Sequence, residues 1–146
     1  MRPEIEARIS RSDLAGRVEL LGSRGFGDYL DELRGAHFLM APSVTAADGD
    51  TEGGAPVCLL DAQASGLPVL ATTHCDIPEV TLPGKSALLC PERDVEALAS
   101  DLERLIAHPE DWPAMGRAGR AHMEAEFDIR RQGARMADLY DQLLGR

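Results

Sequence analysis

The sequence predicts an α/β fold in which a partial parallel sheet of about four strands is flanked by helices and followed by a helical C-terminal tail. Short apolar runs bounded by glycine or proline alternate along the chain with segments of helical periodicity. This alternation is typical of parallel sheets whose strands are joined by helices. Beyond residue 94 only helical periodicity remains, which predicts the tail. A length of 146 residues suits one domain, so 1–146 is expected to be a single unit.

Four apolar runs are predicted to be strands. They are residues 17–22, 37–42, 69–72 and 87–90. The second run is continuous, short and closed by Pro42, which favours a buried strand over a helix. Parallel sheets of this kind bind ligands beyond the carboxyl ends of their strands. The loops that follow Leu21, Met40, Ala71 and Leu89 are therefore the places to look for chemistry.

The helix best defined by its boundaries is predicted over 56–65. Pro56 suits a first helical position, Gly66 can take the left-handed conformation beyond the end, and Pro68 prevents continuation. Further helices are predicted over 3–14, over 27–35, and in three tail segments. The first tail helix is capped by Asp94, the second runs through Trp112 and Met123, and the third carries Met136, Leu139 and Leu143.

Composition excludes several classes of function. The formal net charge of −10 argues against a nucleic-acid partner, which requires a basic face. No apolar run reaches the roughly 18 residues of a transmembrane span, and the N-terminus shows no signal peptide. The three cysteines include no Cys-x-x-Cys pair, which argues against a disulfide framework or structural zinc. A cytoplasmic protein, at most peripheral to the inner face of the membrane, is expected.

The loop at 42–56 carries the functional hypothesis. It is long, acidic and glycine-bearing, and it leads directly into the start of a helix. Free backbone N–H groups and the positive end of the helix dipole suit an anion such as a diphosphate there. Gly53 and Gly54 allow a ligand to approach the backbone closely. From the residues alone, a plain tight turn before a helix remains the alternative.

Four sequence segments, taken in order along the chain, resemble the motifs of one protein family. They are EGGAPVCLLDAQASGLPVLAT at 52–72, HCDIPE at 74–79, GKSALL at 84–89, and MGRAGR at 115–120 leading to Phe127. In this order they are similar to the family 4 retaining glycosyltransferases of the GT-B fold, especially those of exopolysaccharide and lipopolysaccharide assembly. The resemblance covers nearly the whole chain. It implies half of a GT-B C-terminal domain, with a Rossmann-like sheet.

The resemblance also implies roles for residues. Glu52, the catalytic candidate, would hold hydroxyls of the donor sugar, and Asp61 would hold the ribose. The main chain at Gly53, Gly54 and Ala55 would face the sugar and diphosphate. Ser43 lies at a strand end where it could touch the ligand. The loop with His74 and Asp76 would line the donor site rather than bind a metal ion. The donor is a nucleotide-diphosphate sugar, with no metal or other cofactor expected.

Two departures from the family pattern bear on these roles. Eight residues separate Glu52 from Asp61, whereas the family usually has seven. The second acid is aspartate, one methylene shorter than the usual glutamate. The first departure blurs which residue faces the sugar, and the second shifts or removes the ribose contact.

The resemblance starts part-way into the family's C-terminal domain. Strands 1 and 2 of that domain, the Arg and Lys that grip the diphosphate, and the acceptor domain have no counterpart here. The strand at 37–42 would then expose an edge, unless 17–22 pairs beside it. The final helix would dock locally or recruit a second chain. The partners expected are therefore the donor, the missing N-terminal half, and a second copy.

The first hypothesis is the donor-binding portion of a hexosyltransferase that acts on a glycan or lipid-linked acceptor and is inactive alone. The alternative is a non-catalytic remnant, or a module completed by a partner, without donor affinity. A third reading is another GT-B relative, such as a sugar-nucleotide epimerase. A dehydrogenase is excluded because the Gly-x-Gly-x-x-Gly fingerprint is absent, and no Gly-x-Ser-x-Gly elbow occurs.

Overall fold

A computed structural model describes residues 2–11, 13–51 and 54–145. Contacts divide the chain into two compact units, Met1–Glu32 and Leu33–Arg146. The predicted α/β class is confirmed, with a parallel sheet, helices packed on it, and a long C-terminal helix. No described helix combines the length and the apolar character needed to cross a bilayer.

The first unit contains helix α1 (Arg2–Ser10) and the start of helix α2 (Phe26–Gly35). The strand predicted over 17–22 is wrong, since these residues form turns and irregular structure and belong to no described ladder. Strands require hydrogen-bonded neighbours, which a local pattern cannot supply. Val18 and Leu20 are instead about two-fifths exposed, and Leu20 lines an apolar groove with Ile5 of α1.

The sheet of the second unit has three parallel strands in the order β1 (Leu39–Ala41), β2 (Val69–Thr72), β3 (Ala87–Cys90). Leu70 lies between Met40 and Leu88 in the register. All four residues of β2 are buried, because the strand is central. The count is therefore three rather than about four, and among the described residues no strand pairs with the outer edge of β1.

Helix α3 (Val57–Ala64) connects β1 to β2 and confirms the predicted boundaries to within one residue. Pro56 is the residue that precedes the helix, and Gly66 beyond its end has φ +80°. The N–H of Gly66 bonds the carbonyl of Gln63, and the N–H of Leu67 bonds the carbonyl of Ala62. These two bonds satisfy carbonyls that a helix end would otherwise leave open.

Helix α4 (Val95–Ala107) packs on β2 and β3. Asp94 caps it, since its carboxylate accepts a 2.9 Å hydrogen bond from the N–H of Ala97. The core beneath α4 is formed by buried leucines and partly buried neighbours: Leu70, Leu88, Leu105, Phe38, Leu98, Leu102, Trp112 and Met115. The indole N–H of Trp112 bonds the carbonyl of Leu105 at 2.8 Å, and its ring lies against those of His37 and Phe38.

Helix α5 (Trp112–Glu126) packs against α3 at very short range. A Cβ at Gly116 would lie 2.0 Å from the carbonyl oxygen of Gly66, so only glycine fits there. A Cβ at Gly119 would lie 3.2 Å from the side chain of Gln63. The Gln63 side chain is fully buried, donates to the Val80 carbonyl at 2.8 Å, and accepts the Ser86 hydroxyl at 2.8 Å.

Helix α6 (Ile129–Leu144) ends the described chain and buries no residue. Its predicted apolar stripe is present but lies open, with Met136, Leu139 and Leu143 each more than half exposed. Local docking of this stripe, one of the two alternatives raised by the sequence, is therefore wrong. Asp128 caps the helix by accepting the N–H groups of Arg130 and Arg131.

Candidate functional site

A cavity of about 370 Å³ opens where β1 and β2 end. Ser43 follows β1 by two residues and His74 follows β2 by two residues, so both lie at the carboxyl edge of the sheet. This is the edge at which open α/β sheets bind their ligands. The lining residues are Ser43, Val44, Ala46, Asp50, Thr51, Gly54, Ala55, Pro56 and His74.

Four of the residues singled out in the sequence line this cavity together: Ser43, Gly54, Ala55 and His74. Asp76 does not line it but lies close by, because a Cβ at Gly54 would be 3.9 Å from an Asp76 carboxylate oxygen. Asp61 is half-buried on α3 and is not among the lining residues. Glu52 and Gly53 lie outside the described residues. Their roles, like those of the other candidates, stay predictions.

The N-terminus of α3 borders the cavity through Ala55 and Pro56. Pro56 precedes the helix with φ −59° and ψ 130°, and its own side chain makes no capping hydrogen bond. Gly54 has φ +66°, a conformation that favours glycine. The loop thus delivers the positive end of a short helix dipole to the cavity, an arrangement suited to an anion.

His74 is the buried polar side chain of this site, with 4% of its surface exposed. Its Nδ1 lies 2.6 Å from a carboxylate oxygen of Glu92, and its Nε2 lies 3.3 Å from the carbonyl oxygen of Thr51. Both partners are acceptors, so only the imidazolium, with two N–H groups, satisfies both. Consistent with this geometry, the hydrogen bond to Glu92 raises the pKa of His74 above its usual value despite burial.

Glu92 is held in its charged form by the same network. Its carboxylate accepts the backbone N–H of Thr45 at 2.7 Å and the Thr45 hydroxyl at 3.3 Å. The bond from the Thr45 N–H is the main reason that the pKa of Glu92 lies below its usual value, and the bond from His74 adds to it. Glu92 and His74 thus share a short hydrogen bond beside the cavity, and each shifts the pKa of the other toward its charged form.

Cys75 is an exposed neighbour of this pair. Its sulfur lies 3.3 Å from Nε2 of His74, and its backbone has φ +44°. A neutral His74 could accept the thiol proton at Nε2 in place of donating to Thr51. The described residues contain no group of three His, Cys, Asp or Glu side chains arranged to hold a metal ion. Donor binding without a metal stays a prediction.

Sequence reasoning missed the residues that fix the loop after β1. The guanidinium of Arg93 donates to the Thr45 carbonyl, and the Thr72 hydroxyl donates to the Ser43 carbonyl. Arg93 adopts φ +63°, which is uncommon for a residue other than glycine. The available signal was position: Glu92 and Arg93 lie two and three residues beyond the end of β3, and the loop after Leu89 was expected to border the site.

The charge of the cavity is carried by few groups. Among its described lining residues, His74 is the only cationic side chain and Asp50 the only acidic one. Lysine and arginine, the usual partners of a diphosphate, do not occur in that part of the lining. The positive potential available to a ligand thus comes from the α3 terminus and from His74, the latter offset by Glu92.

Comparison with known proteins connects this geometry to a family. Residues 1–108 match the family described as glycosyl transferases group 1. The amylovoran biosynthesis glycosyltransferase AmsK of Erwinia amylovora is 37% identical over 98% of this chain and 35% of its own length. A GDP-mannose-dependent phosphatidylinositol monomannoside mannosyltransferase of Corynebacterium glutamicum is 33% identical over 94% of this chain and 36% of its own length. The chain thus spans about a third of these relatives.

Solved structures share the fold. The sucrose-phosphate synthase of Thermosynechococcus elongatus aligns with a TM-score of 0.80 at 26% identity, over 99% of this chain and 34% of its own. The C-terminal domain of a glycosyl transferase group 1 protein of Francisella tularensis aligns with a TM-score of 0.72 at 16% identity, over 88% of this chain and 63% of its own. The Anabaena protein HepE, solved with UDP, aligns with a TM-score of 0.80 at 20% identity, over 96% and 36%. On the family match over residues 1–108, this chain belongs to the glycosyl transferases group 1 family, and its fold is that of the C-terminal, GT-B portion.

Proposed function

We propose that the chain is the donor-binding portion of a retaining hexosyltransferase, which takes a nucleotide-diphosphate sugar at the cavity beyond β1 and β2. The observation that carries the proposal is the meeting of Ser43, Gly54, Ala55 and His74 around one cavity at the start of α3. A helix N-terminus and glycine backbone at a carboxyl sheet edge suit a diphosphate. The acceptor would be a glycan or a lipid-linked acceptor.

Within this proposal, each candidate residue has a role. Glu52 acts at the donor sugar by holding its hydroxyls, and Asp61 contacts the ribose. The main chain at Gly53, Gly54 and Ala55 faces the sugar and the diphosphate. Ser43 and His74 complete the wall around the ligand, in keeping with their positions in the lining, and Asp76 acts from beside Gly54. The developing charge on the leaving diphosphate would be stabilised by helix and side-chain dipoles without a metal ion.

Relatives and structural neighbours narrow the donors worth testing. The Corynebacterium glutamicum relative is named as GDP-mannose-dependent, and HepE has been solved with UDP and with UDP-glucose. Both nucleotide classes are therefore candidate ligands for this chain. We propose 1–146 as one incomplete nucleotide-sugar-binding domain, with turnover requiring a further acceptor-binding part or a second copy. A cytoplasmic location stays a prediction.

A second candidate is a module of the same fold that has no donor affinity. It is favoured by the lack of lysine and arginine among the described lining residues, and by aspartate rather than glutamate at position 61. Without lysine or arginine side chains at the cavity, the N-terminus of α3 and the His74–Glu92 pair alone would have to bind the two phosphates. The two candidates differ in one measurable property, which is binding of the nucleotide diphosphate.

Calorimetric titration of the chain with UDP, GDP, UDP-glucose and GDP-mannose tests the proposal. We expect Asp61→Ala to weaken binding of the bare nucleotide, and Glu52→Ala to weaken binding only when a sugar is attached. Glu96→Ala, an exposed acid in the first turn of α4, is the matched control. A folded wild-type chain that binds none of the four ligands would establish the second candidate instead.

A further inference from the structure

The loop between β1 and α3 is tied to the rest of the sheet edge before any ligand enters. Thr45 is bound at both of its backbone polar groups, its N–H by Glu92 and its carbonyl by Arg93. These two residues are consecutive in the β3–α4 connection. Their side chains therefore bind the N–H and the carbonyl of one residue, Thr45, from the same segment. Val44 and Ala46, on either side of Thr45, line the cavity.

Two further ties act on the same loop. The Thr72 hydroxyl donates to the carbonyl of Ser43 at the end of β1. At the other end, His74 donates to the carbonyl of Thr51, and His74 is itself held by Glu92. The two carboxylate oxygens of Glu92 therefore reach two parts of the loop, Thr45 directly and Thr51 through the imidazolium. Charge-assisted bonds of this kind are stronger than neutral ones.

The backbone at Arg93 gives an independent sign of function. Its φ of +63° is strained for any residue with a Cβ, and glycine would relieve the strain. Glycine would also remove the guanidinium that holds the Thr45 carbonyl. Strain of this sort persists where the surrounding structure requires the side chain, and it clusters at ligand-binding sites.

We propose that Glu92 and Arg93 are positioning residues for the cavity: together they fix the main chain at Thr45, and Glu92 also fixes His74, so that a ligand meets a wall already in place. The nature of that ligand rests on the proposed function, whereas the fixing of the loop does not. Neither residue lines the cavity, so each acts through another residue. Preorganisation of this kind lowers the entropy cost of binding.

The test compares Glu92→Gln and Arg93→Gly with the wild-type chain, and with Glu96→Gln as a control of equal charge change on exposed α4. Amide hydrogen exchange of Thr45 and the pKa of His74 are measured by NMR without ligand. Affinity for UDP and GDP is then measured by calorimetry. Among the described residues, the hydrogen-bonding neighbours of His74 are Glu92, the Cys75 thiol and the Thr51 carbonyl, so removal of the Glu92 charge should appear directly in the pKa of His74.

We expect both variants to speed exchange of the Thr45 amide roughly tenfold or more, and to weaken nucleotide binding by about tenfold, the equivalent of about one lost hydrogen bond. Glu92→Gln should also lower the pKa of His74, because the carboxylate charge is gone. Arg93→Gly should speed Thr45 exchange and weaken nucleotide binding without lowering the thermal midpoint, since it removes backbone strain. That combination separates positioning from a merely structural role.

Unchanged Thr45 exchange and an unchanged His74 pKa in Glu92→Gln would overturn the proposal. So would a uniform loss of protection, in which amides of α4 and α5 exchange faster by the same factor as the Thr45 amide. If the wild-type chain binds neither nucleotide while exchange and pKa respond as expected, the proposed function fails and the positioning of the loop stands. If Glu96→Gln matches Glu92→Gln in every readout, the effect is one of net charge and the proposal is wrong.

Discussion

Two regions of the second unit are held together in different ways: the helix layer, where α3 and α5 pack, and the carboxyl edge, where the loops follow the ends of the strands. Between α3 and α5 the decisive feature is the lack of side chains at Gly116 and Gly119, with Gln63 buried and bonded beside them. At the carboxyl edge, charged side chains hold the main chain of a loop, and two residues, Cys75 and Arg93, adopt left-handed backbone. Close packing around a buried, hydrogen-bonded Gln63 holds the first region together, whereas hydrogen bonds from side chains to the main chain of a loop hold the second. Substitutions in the first should cost stability, while those in the second should cost ligand affinity.

The largest effect is expected from Gly116→Ala. The new Cβ would lie 2.0 Å from the carbonyl oxygen of Gly66, just beyond the end of α3, so the main chain of α5 or of this turn would have to shift. We expect a loss of about 3 kcal/mol in the free energy of unfolding, measured by urea denaturation. Gly133→Ala is the control, because nothing lies within 4 Å of its Cβ and alanine favours helix by roughly 0.5–1 kcal/mol. Equal stability of the two variants would show that the helices do not meet so closely.

Gln63→Met should cost about 2 kcal/mol while keeping the side-chain volume. It removes the acceptor of the buried Ser86 hydroxyl and the donor that binds the partly buried Val80 carbonyl. Gln142→Met on the exposed helix α6 serves as the control, with a change within about 0.5 kcal/mol. Chemical denaturation of both variants measures the difference. A stable Gln63→Met would mean that the layer depends on volume alone.

Asp94→Ala tests whether stability and the order of the Thr45 loop can be changed independently within the β3–α4 connection. Asp94 adjoins Arg93 but caps α4, so its loss should cost about 1 kcal/mol of stability. Exchange of the Thr45 amide should stay at the wild-type rate, since Asp94 does not hold that loop. Thermal unfolding and NMR exchange on the same sample measure both. Faster Thr45 exchange in Asp94→Ala would blur the division that the structure draws.

The smallest effect is a pH dependence confined to the carboxyl edge. The raised pKa of His74 stabilises the fold below its usual value of 6.5, and this contribution is lost as pH rises through the folded pKa. The lowered pKa of Glu92 stabilises above its usual value of 4.5, and this contribution is lost as pH falls through the folded pKa. The pair therefore contributes most between about pH 4.5 and 6.5.

Thermal midpoints of the wild-type chain and Glu92→Gln, measured between about pH 4 and 8, check this dependence. The difference should be widest within the window and shrink on both sides of it. The exposed pair His108 and Glu110 is present in both proteins, so its titration cancels. A difference that is constant across the range would argue that His74 stays neutral in the folded chain.

The sequence could predict features that neighbouring residues determine, and it could not predict features that depend on contacts between distant segments. The boundaries of α3 follow from Pro56 and Gly66, whose effects act within a few residues. Gly66 takes the predicted left-handed conformation, and Pro56 lies one residue before the helix rather than at its first position. The strand over 17–22 depended on a partner strand that no local pattern can supply, and it is wrong. The position of His74 at the site followed from its place after β2. Its partner Glu92 did not, because the two residues are 18 positions apart and only the parallel sheet brings both loops to one edge.

Trp112 gives the molecule a built-in spectroscopic reporter. It is the only tryptophan of the sequence, and its indole joins α5 to the core beneath α4 through the Leu105 carbonyl and the ring of Phe38. Its emission under selective excitation therefore follows the helix layer and the sheet core, with no competing indole to deconvolute. The carboxyl edge has no such emitter among its described residues. A variant that loosens only the ligand-facing loop should thus be silent in fluorescence and visible in NMR.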